Sequence, residues 1–386
     1  MEKLNLLNKN NEIMKEDINQ IINDKNNNNI LNYIMNVYNR MNNKINEIDE
    51  LSYTFKKNPN LKYKLNIVDN NDYYGYNDIF EIFLSYKDKK EYLVSKNKNY
   101  DLDIYLLINI KKIISLKGHE NHIETVRYFI NHNNYNEYLI SADEKNIVII
   151  WDITNNYSNN YRIQTKYDGQ IYSCYLLFPH NDNENYIITS TSSVTNNKDK
   201  SATKLYSWKS CKFIKNIYFS NLCLIYYLLS WYNKNNNKYY IIQLANEKII
   251  ISNLLEDELY SELINLPESS HYSGFIYYKN NRDYLISSSE NGFINIWDLY
   301  NKSIYKVIET YCDLIHIIEW NNKYCIVVDY NKKSFKIIDL EQYKIISEIK
   351  GIHTNEIRCI KKIYHPIYGE SLLSAGNDNI IKLWAI

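Results

Sequence analysis

From Tyr53 onward, short runs of apolar, β-branched and aromatic residues alternate with clusters of Asn, Asp, Lys and Ser. The pattern is clearest in YLISADEKNIVIIWDI (138–153), YLISSSENGFINIWDL (284–299) and SLLSAGNDNIIKLWAI (371–386). Each is an apolar run, a polar turn and a second apolar run ending near Trp. That arrangement predicts two strands joined by a tight turn. No helical periodicity intervenes, which argues against a parallel α/β sheet and for an all-β architecture. Residues 1–52 read differently. Leu31, Ile34, Tyr38, Met41, Ile45 and Ile48 recur at spacings of three and four and fall on one stripe of a helix. The expectation is an N-terminal helical segment with a short coiled-coil stripe. Residues 30–51 would meet a helical partner, self-associate, or pack on the flank of the strand-rich region.

The three clear segments align without gaps from Ser141, Ser287 and Ser374 to Trp151, Trp297 and Trp384. Weaker copies then emerge, with Ile108, Trp208, Ser252 and Ile338 in the Trp position. The seven anchors are separated by 43, 57, 44, 45, 41 and 46 residues. A period of about 40–45 residues is that of a four-stranded propeller blade. The long interval contains the polar stretch TSSVTNNKDKSA (191–202), which reads as a loop insertion.

Gly118-His119 precedes Trp151-Asp152, and Trp297-Asp298 ends another copy. The last copy reads GIHTNEIRCI and then LLSAGNDNIIKLW. On these residues the chain, over roughly 60–386, resembles the WD-repeat family. The resemblance implies a seven-bladed β-propeller, with a His, a Ser or Thr, an Asp and the Trp forming a hydrogen-bonded structural network in a blade. Carried over residue by residue, the last repeat supplies all four as His353, Ser374, Asp378 and Trp384. The second supplies His119, Ser141 and Trp151, with Lys145 where the Asp is expected; the fifth supplies His271, Ser287 and Trp297, with Asn291 there. The last repeat ends on the third strand of its blade. Family propellers close with a strand from the N-terminal side, so LKYKLNIV (61–68) is expected to complete it and remove an unpaired edge. The layout, a helix before a seven-bladed ring, is similar to that of the β subunits of heterotrimeric G proteins, where the helix pairs with a second subunit.

Composition changes this picture little. Lys plus Arg equals Asp plus Glu at 45 each, and that balance counts against a chain built to grip nucleic acid. Tyr, at 40 of 386 residues, is frequent everywhere, so interleaved aromatic and basic residues carry little weight. Gly and Pro number only 8 and 4, which leaves turns to Asn. The six cysteines show no paired spacing, the N-terminus lacks the apolar core of a signal peptide, and no run is long enough for a membrane helix. A cytoplasmic or nuclear protein is expected.

Candidate chemistry is sparse. His119-x-x-His122 with His132 nearby is a weak metal pattern, and no nucleophile elbow, phosphate-binding loop or zinc-protease motif is present. No cofactor and no catalytic residue is assigned. Asp152 and Asp298 read as turn contacts. Ubiquitin-ligase substrate receptors of this family carry Arg two residues after Trp-Asp; here those residues are Thr154 and Tyr300. The reading is a non-enzymatic scaffold for other proteins. The alternatives are an RNA-associated assembly factor, in ribosome biogenesis or RNA processing, and a ubiquitin-ligase substrate receptor.

Overall fold

The computed structural model describes residues 60–66 and 79–385, apart from 98, 108–110, 166–169, 180–183, 193–201, 220–224, 247, 257–258, 265–269, 311–313, 321–322, 330–333, 356, 366–368, 377 and 379. The helical segment expected over 1–52, with its stripe from Leu31 to Ile48, lies outside the described residues. The described residues contain strands and no α-helix, grouped in seven four-stranded antiparallel sheets. Blade 1 covers Ile79–Leu116, blade 2 Ile123–Gln164, blade 3 Gln170–Phe219 and blade 4 Ile225–Ile264. Blade 5 covers His271–Glu309 and blade 6 Leu314–Ile349; Ile357–Ala385 supplies three strands of blade 7. The first strand of each blade lies against the first strand of the next, and that of blade 7 against that of blade 1, so the sheets close into a ring.

The fourth strand of blade 7 is Asn60–Asn66. It runs antiparallel to Ile380–Ala385, from Asn60 opposite Ala385 to Asn66 opposite Ile380. The strand starts one residue before the apolar run 61–68, whose last two residues lie outside the described residues. Pairing at this seam gives the last blade the same four strands as the others.

The second and third strands are buried on both faces and read as continuous apolar runs. EYLISAD (137–143) and IVIIWD (147–152) of blade 2 are buried throughout. Blade-to-blade packing explains this, because each sheet has a neighbour on either face. Leu139, Ile149 and Trp151 pack with Val94 and Ile104 of blade 1, whereas Ile140, Val148 and Ile150 pack with Ile187 and Tyr206 of blade 3. Alternate side chains of one strand thus serve two interfaces.

Register corrects two anchors. In blades 2, 4, 5 and 6 the third strand bulges against the fourth immediately before Trp151, Ser252, Trp297 and Ile338. The same bulge precedes Tyr105 in blade 1 and Tyr206 in blade 3. The equivalent positions are therefore Tyr105 and Tyr206, not Ile108 and Trp208. A second feature agrees. The backbone N–H two residues after the anchor donates to the start of the second strand or to the residue just before it in six blades, from Leu107, Ile153, Trp208, Leu254, Leu299 and Leu340. With Tyr105 and Tyr206 in place the intervals become 46, 55, 46, 45, 41 and 46 residues.

Turn chemistry reflects the shortage of glycine. Among the described residues, five Asn adopt positive φ, but so do Tyr100, Tyr135, Tyr157 and Tyr343. Asn enters this region readily and Tyr does not. Turns that lean on Tyr here are strained relative to turns that use Asn or Gly. In the Asn-rich turn of blade 2, Asn133 and Asn134 do not take positive φ; the next residue, Tyr135, does.

Candidate functional site: the central channel and its mouth

The family network is built at the top of a blade, between the approach to the first strand and the end of the second. In blade 7, His353 Nδ1 lies 2.9 Å from Asp378 Oδ1 and its Nε2 2.8 Å from Ser374 Oγ; the Trp384 indole donates to the same Oγ at 2.8 Å. Burial raises the Asp378 carboxyl, but the Thr354 amide and His353 outweigh it and hold the group below its ordinary value. Blade 2 holds the same chain, with His119 2.9 Å from Asp143 Oδ2 and 2.7 Å from Ser141 Oγ, and Trp151 Nε1 2.9 Å from Ser141 Oγ. The acid is Asp143, at the end of the second strand, two residues before Lys145. Blade 2 is complete, although counting along the repeat puts Lys145 at the acid's position.

Blade 5 departs from both. Trp297 donates to Ser287 at 3.0 Å, yet neither ring nitrogen of His271 has a hydrogen-bond partner among the described residues. His271 pairs with Ser289, as Ile123 pairs with Asp143 and Ile357 with Gly376. It therefore stands four residues beyond the family's His, in a slot filled by Ile79, Ile123, Ile171, Ile225, Leu314 and Ile357 in the other blades. Burial pushes its imidazole down to about 4. Asn291 faces Ser289, not the histidine, at 2.7 Å. In blades 3 and 4 the Trp–Ser pair is replaced by Tyr206 bonding Thr189 and by Gln243 Nε2 3.4 Å from Ser252 Oγ.

The Asp of Trp-Asp closes the turn to the fourth strand. Asp298 Oδ1 accepts from the Tyr300 and Asn301 amides at 3.0 and 2.9 Å, and Asp152 Oδ1 from the Asn155 amide at 3.0 Å. Asp339 accepts from Glu341 and Gln342 in the same way. These are Asx-turns, and they occupy the carboxylates.

The first strands enclose a channel of about 490 Å³ to which all seven blades contribute. Every first strand bulges near its start, just after its opening residue in six blades, as between Ile123 and Thr125 in blade 2, and after its second residue, Ile171, in blade 3. A bulge turns its extra residue out of the ladder. In blades 3, 4 and 5 that residue is Tyr172, Tyr226 and Tyr272. Tyr172 and Tyr226 line the channel, and Tyr272 packs edge-on against Tyr226 at 4.7 Å.

Deeper in the channel, Arg127 of blade 2 reaches past blade 3 to donate to Leu228 O at 2.9 Å and to the Tyr227 hydroxyl at 3.2 Å. Its guanidinium sits over Tyr227 at 4.4 Å and beside Tyr175 and Phe129. Glu81 links three blades. It pairs with Lys361 of blade 7 at 2.7 Å and accepts the Tyr128 amide of blade 2 at 3.2 Å. Periodicity of the second and third strands did not reveal these residues. A signal existed only for the three tyrosines, each of which directly follows the last residue before the bulge, Ile171, Ile225 or His271.

The histidines of the weak metal pattern are separated: His119 is held by Asp143 and Ser141, while His122 faces Lys96 and Glu124. No cluster of three or more metal-ligating side chains occurs among the described residues. Cys174 and Cys325 are buried, and burial lifts the Cys174 thiol to about 12. Among the described residues, no helix is long and apolar enough to cross a membrane.

Seven four-stranded blades around a channel define a β-propeller. The family model for the WD domain, G-beta repeat, matches residues 110–152. That stretch holds the fourth strand of blade 1 and the first three strands of blade 2, ending on Asp152, so a sequence repeat is offset from a blade by one strand. With this match and the seven-bladed ring, the chain is a WD-repeat β-propeller protein. No curated protein matches it in sequence. Propellers of this family are commonly protein-interaction scaffolds.

Proposed function

We propose that the chain is a non-enzymatic interaction platform, a WD-repeat subunit of a multiprotein complex in the cytoplasm or nucleus, that seats a partner protein at the mouth of its channel. The observation that supports this reading is the set of bulge tyrosines. Tyr172 is exposed, Tyr226 and Tyr272 lie on the next two blades, and buried hydrogen bonds tie blades 3, 4, 5 and 6 to one another in turn. Large rings on a rigid support lose little freedom on binding, which suits protein recognition. The N-terminal stripe from Leu31 to Ile48 supplies a second contact, to a helical partner. Affinity capture with mass spectrometry tests both. Tyr172→Ala with Tyr226→Ala should remove proteins that co-purify with the wild type while leaving the melting temperature within about 2 °C. Ile34→Asp with Met41→Asp should remove those held by the helix. Unchanged recovery for the tyrosine pair sinks the channel-mouth assignment, and turnover of a small molecule by the purified ring sinks the non-enzymatic one.

A further inference from the structure

The two ends of the ring differ in charge, although the chain as a whole is neutral. One end carries the turns between first and second strands and between third and fourth strands. Among the described residues, the exposed carboxylates in those turns are Asp88, Glu256 and Glu341, and they are outnumbered by exposed lysines. At the channel-mouth end, exposed Glu120, Glu290 and Glu309 offset Lys117, Lys145 and Lys350. The lysine-rich end is continuous. Tyr86 of blade 1 stacks on Tyr135 of blade 2 at 4.8 Å, Asn133 of blade 2 donates to Pro179 O of blade 3, and Lys215 of blade 3 donates to Leu255 O of blade 4. Lys234 of blade 4 covers Tyr278 of blade 5 at 4.4 Å, and Lys279 covers Tyr343 of blade 6 at 5.5 Å.

Lys90 and Lys238 on this face pair with Asp88 and Glu256, but five others rest on oxygen dipoles and rings instead of carboxylates. Lys87 donates to Thr154 O at 3.1 Å, Lys89 lies 3.7 Å over the Tyr86 ring, and Lys302 bonds Tyr260 O and covers that ring at 3.9 Å. None of Lys87, Lys89, Lys234, Lys279 and Lys302 has an ion-pair partner among the described residues. Their positive charge is therefore held in place without an ion pair to any described carboxylate. Beside them stand Tyr135 and Tyr278, 53% and 54% exposed.

We infer that this lysine–tyrosine face docks an acidic, Asp/Glu-rich segment of a partner protein, as a second surface distinct from the channel mouth. Charge complementarity argues for an acidic ligand. The state of the rings argues for carboxylates over bases. Tyr86 already has Tyr135 against it and Lys89 over it, and Tyr278, Tyr260 and Tyr343 each carry a lysine, so these rings do not present open faces for base stacking. The Tyr260, Tyr278 and Tyr343 hydroxyls already donate to Leu299 O, Asn281 Oδ1 and the Tyr305 hydroxyl, so the ammonium groups are what this face offers to carboxylate oxygens.

The test uses the full chain with a fluorescein-labelled poly-glutamate peptide, read by anisotropy at low and at physiological ionic strength. The triple variant Lys87→Glu, Lys234→Glu, Lys302→Glu should weaken binding by at least about tenfold. The triple variant Lys117→Glu, Lys145→Glu, Lys350→Glu, with the same change in net charge, should bind as the wild type does. Lys87→Gln, Lys234→Gln, Lys302→Gln should fall between them with an unaltered melting temperature, which separates lost charge from lost fold. No peptide binding at low salt, or equal loss in both Glu variants, overturns the proposal. Tighter binding of an oligouridylate of equal charge, lost in the first variant, also overturns it and makes the face a nucleic-acid surface. If partners captured through Tyr172 and Tyr226 survive the first triple variant while the peptide never binds, the platform reading stands and only this second surface is removed.

Discussion

In blade 2, His119 sits between Asp143 and Ser141, and Trp151 donates to the same serine. In blade 5, Trp297 donates to Ser287 in the same way, but His271 touches neither Ser287 nor an acid and is buried with both nitrogens free among the described residues. The two blades share the letters His, Ser and Trp in the same order. They differ in register: His119 precedes its first strand by four residues, and His271 opens its own. The lesson is that an imidazole stabilises a blade only from the approach loop, where it can reach the serine and the acid together. Placed in the aliphatic slot, it becomes a buried polar group that the fold must tolerate.

The largest effect should come from breaking blade 2. Asp143→Ala or His119→Ala leaves buried partners unsatisfied, and each should cost about 2–4 kcal/mol in denaturant unfolding. Asn291→Ala in blade 5 should change stability by less than about 1 kcal/mol, because its amide is not part of a histidine network. Equal losses in the two blades would erase the distinction between them.

A smaller effect of opposite sign is expected at His271. His271→Ile restores the isoleucine that blades 1, 2, 3, 4 and 7 carry in this slot and should stabilise the ring by about 1–2 kcal/mol at neutral pH. The folded imidazole titrates near 4 against 6.5 in the unfolded chain. Between those values the unfolded state binds the extra proton, so the wild type loses stability as pH falls from 6.5 toward 4, by about 1.4 kcal/mol per unit at most. Because Glu91 acts with the opposite sign above pH 4.5, the readout is the difference: the urea midpoint of His271→Ile minus that of the wild type should grow as pH falls from 6.5 toward 4. A parallel slope in both proteins would show that His271 is not the titrating group.

The smallest effect belongs to another repeated position. Glu137 of blade 2 accepts from Ser85 Oγ, the Tyr86 and Lys87 amides and the Tyr128 hydroxyl, at 2.5–3.2 Å. The matching residue of blade 1, Glu91, has an unpartnered Oε1, and burial pushes its carboxyl up to about 7. Its folded value exceeds its unfolded one, so the folded state binds the extra proton. Stability is full below about 4.5 and is lost as pH rises through 7. Glu91→Gln should gain about 1 kcal/mol at pH 8 and nothing at pH 4. Thermal melts at the two pH values check it, and a gain at both would contradict the assignment.

Much of this fold was legible because strands buried on both faces write themselves as apolar runs, and because Trp151, Trp297 and Trp384 keep phase. The errors have one physical origin. Trp208 reads as an anchor because it is a Trp, yet the slot is held by Tyr206, whose hydroxyl does the indole's work with Thr189. Lys145 falls opposite His119 by counting from blade 7, where the acid reaches back from the turn; in blade 2 the strand itself ends on the acid. His271 matches by type while the register puts it in a core slot. The bulge tyrosines and Arg127 left no periodic trace, since a bulge breaks the alternation that periodicity reads. The lysine-rich face was hidden by a net charge of zero, a sum over both ends of the ring.

The central claim is a ring closed at blade 7 by Asn60–Asn66. The most direct measurement is the thermal unfolding of the chain with residues 53–70 deleted, beside the full chain, followed with hydrogen exchange on Ile380–Ala385. An open ring should melt lower and less cooperatively, with Ile380–Ala385 exchanging early. A deletion that melts like the full chain, with Ile380–Ala385 equally protected, would contradict the closure.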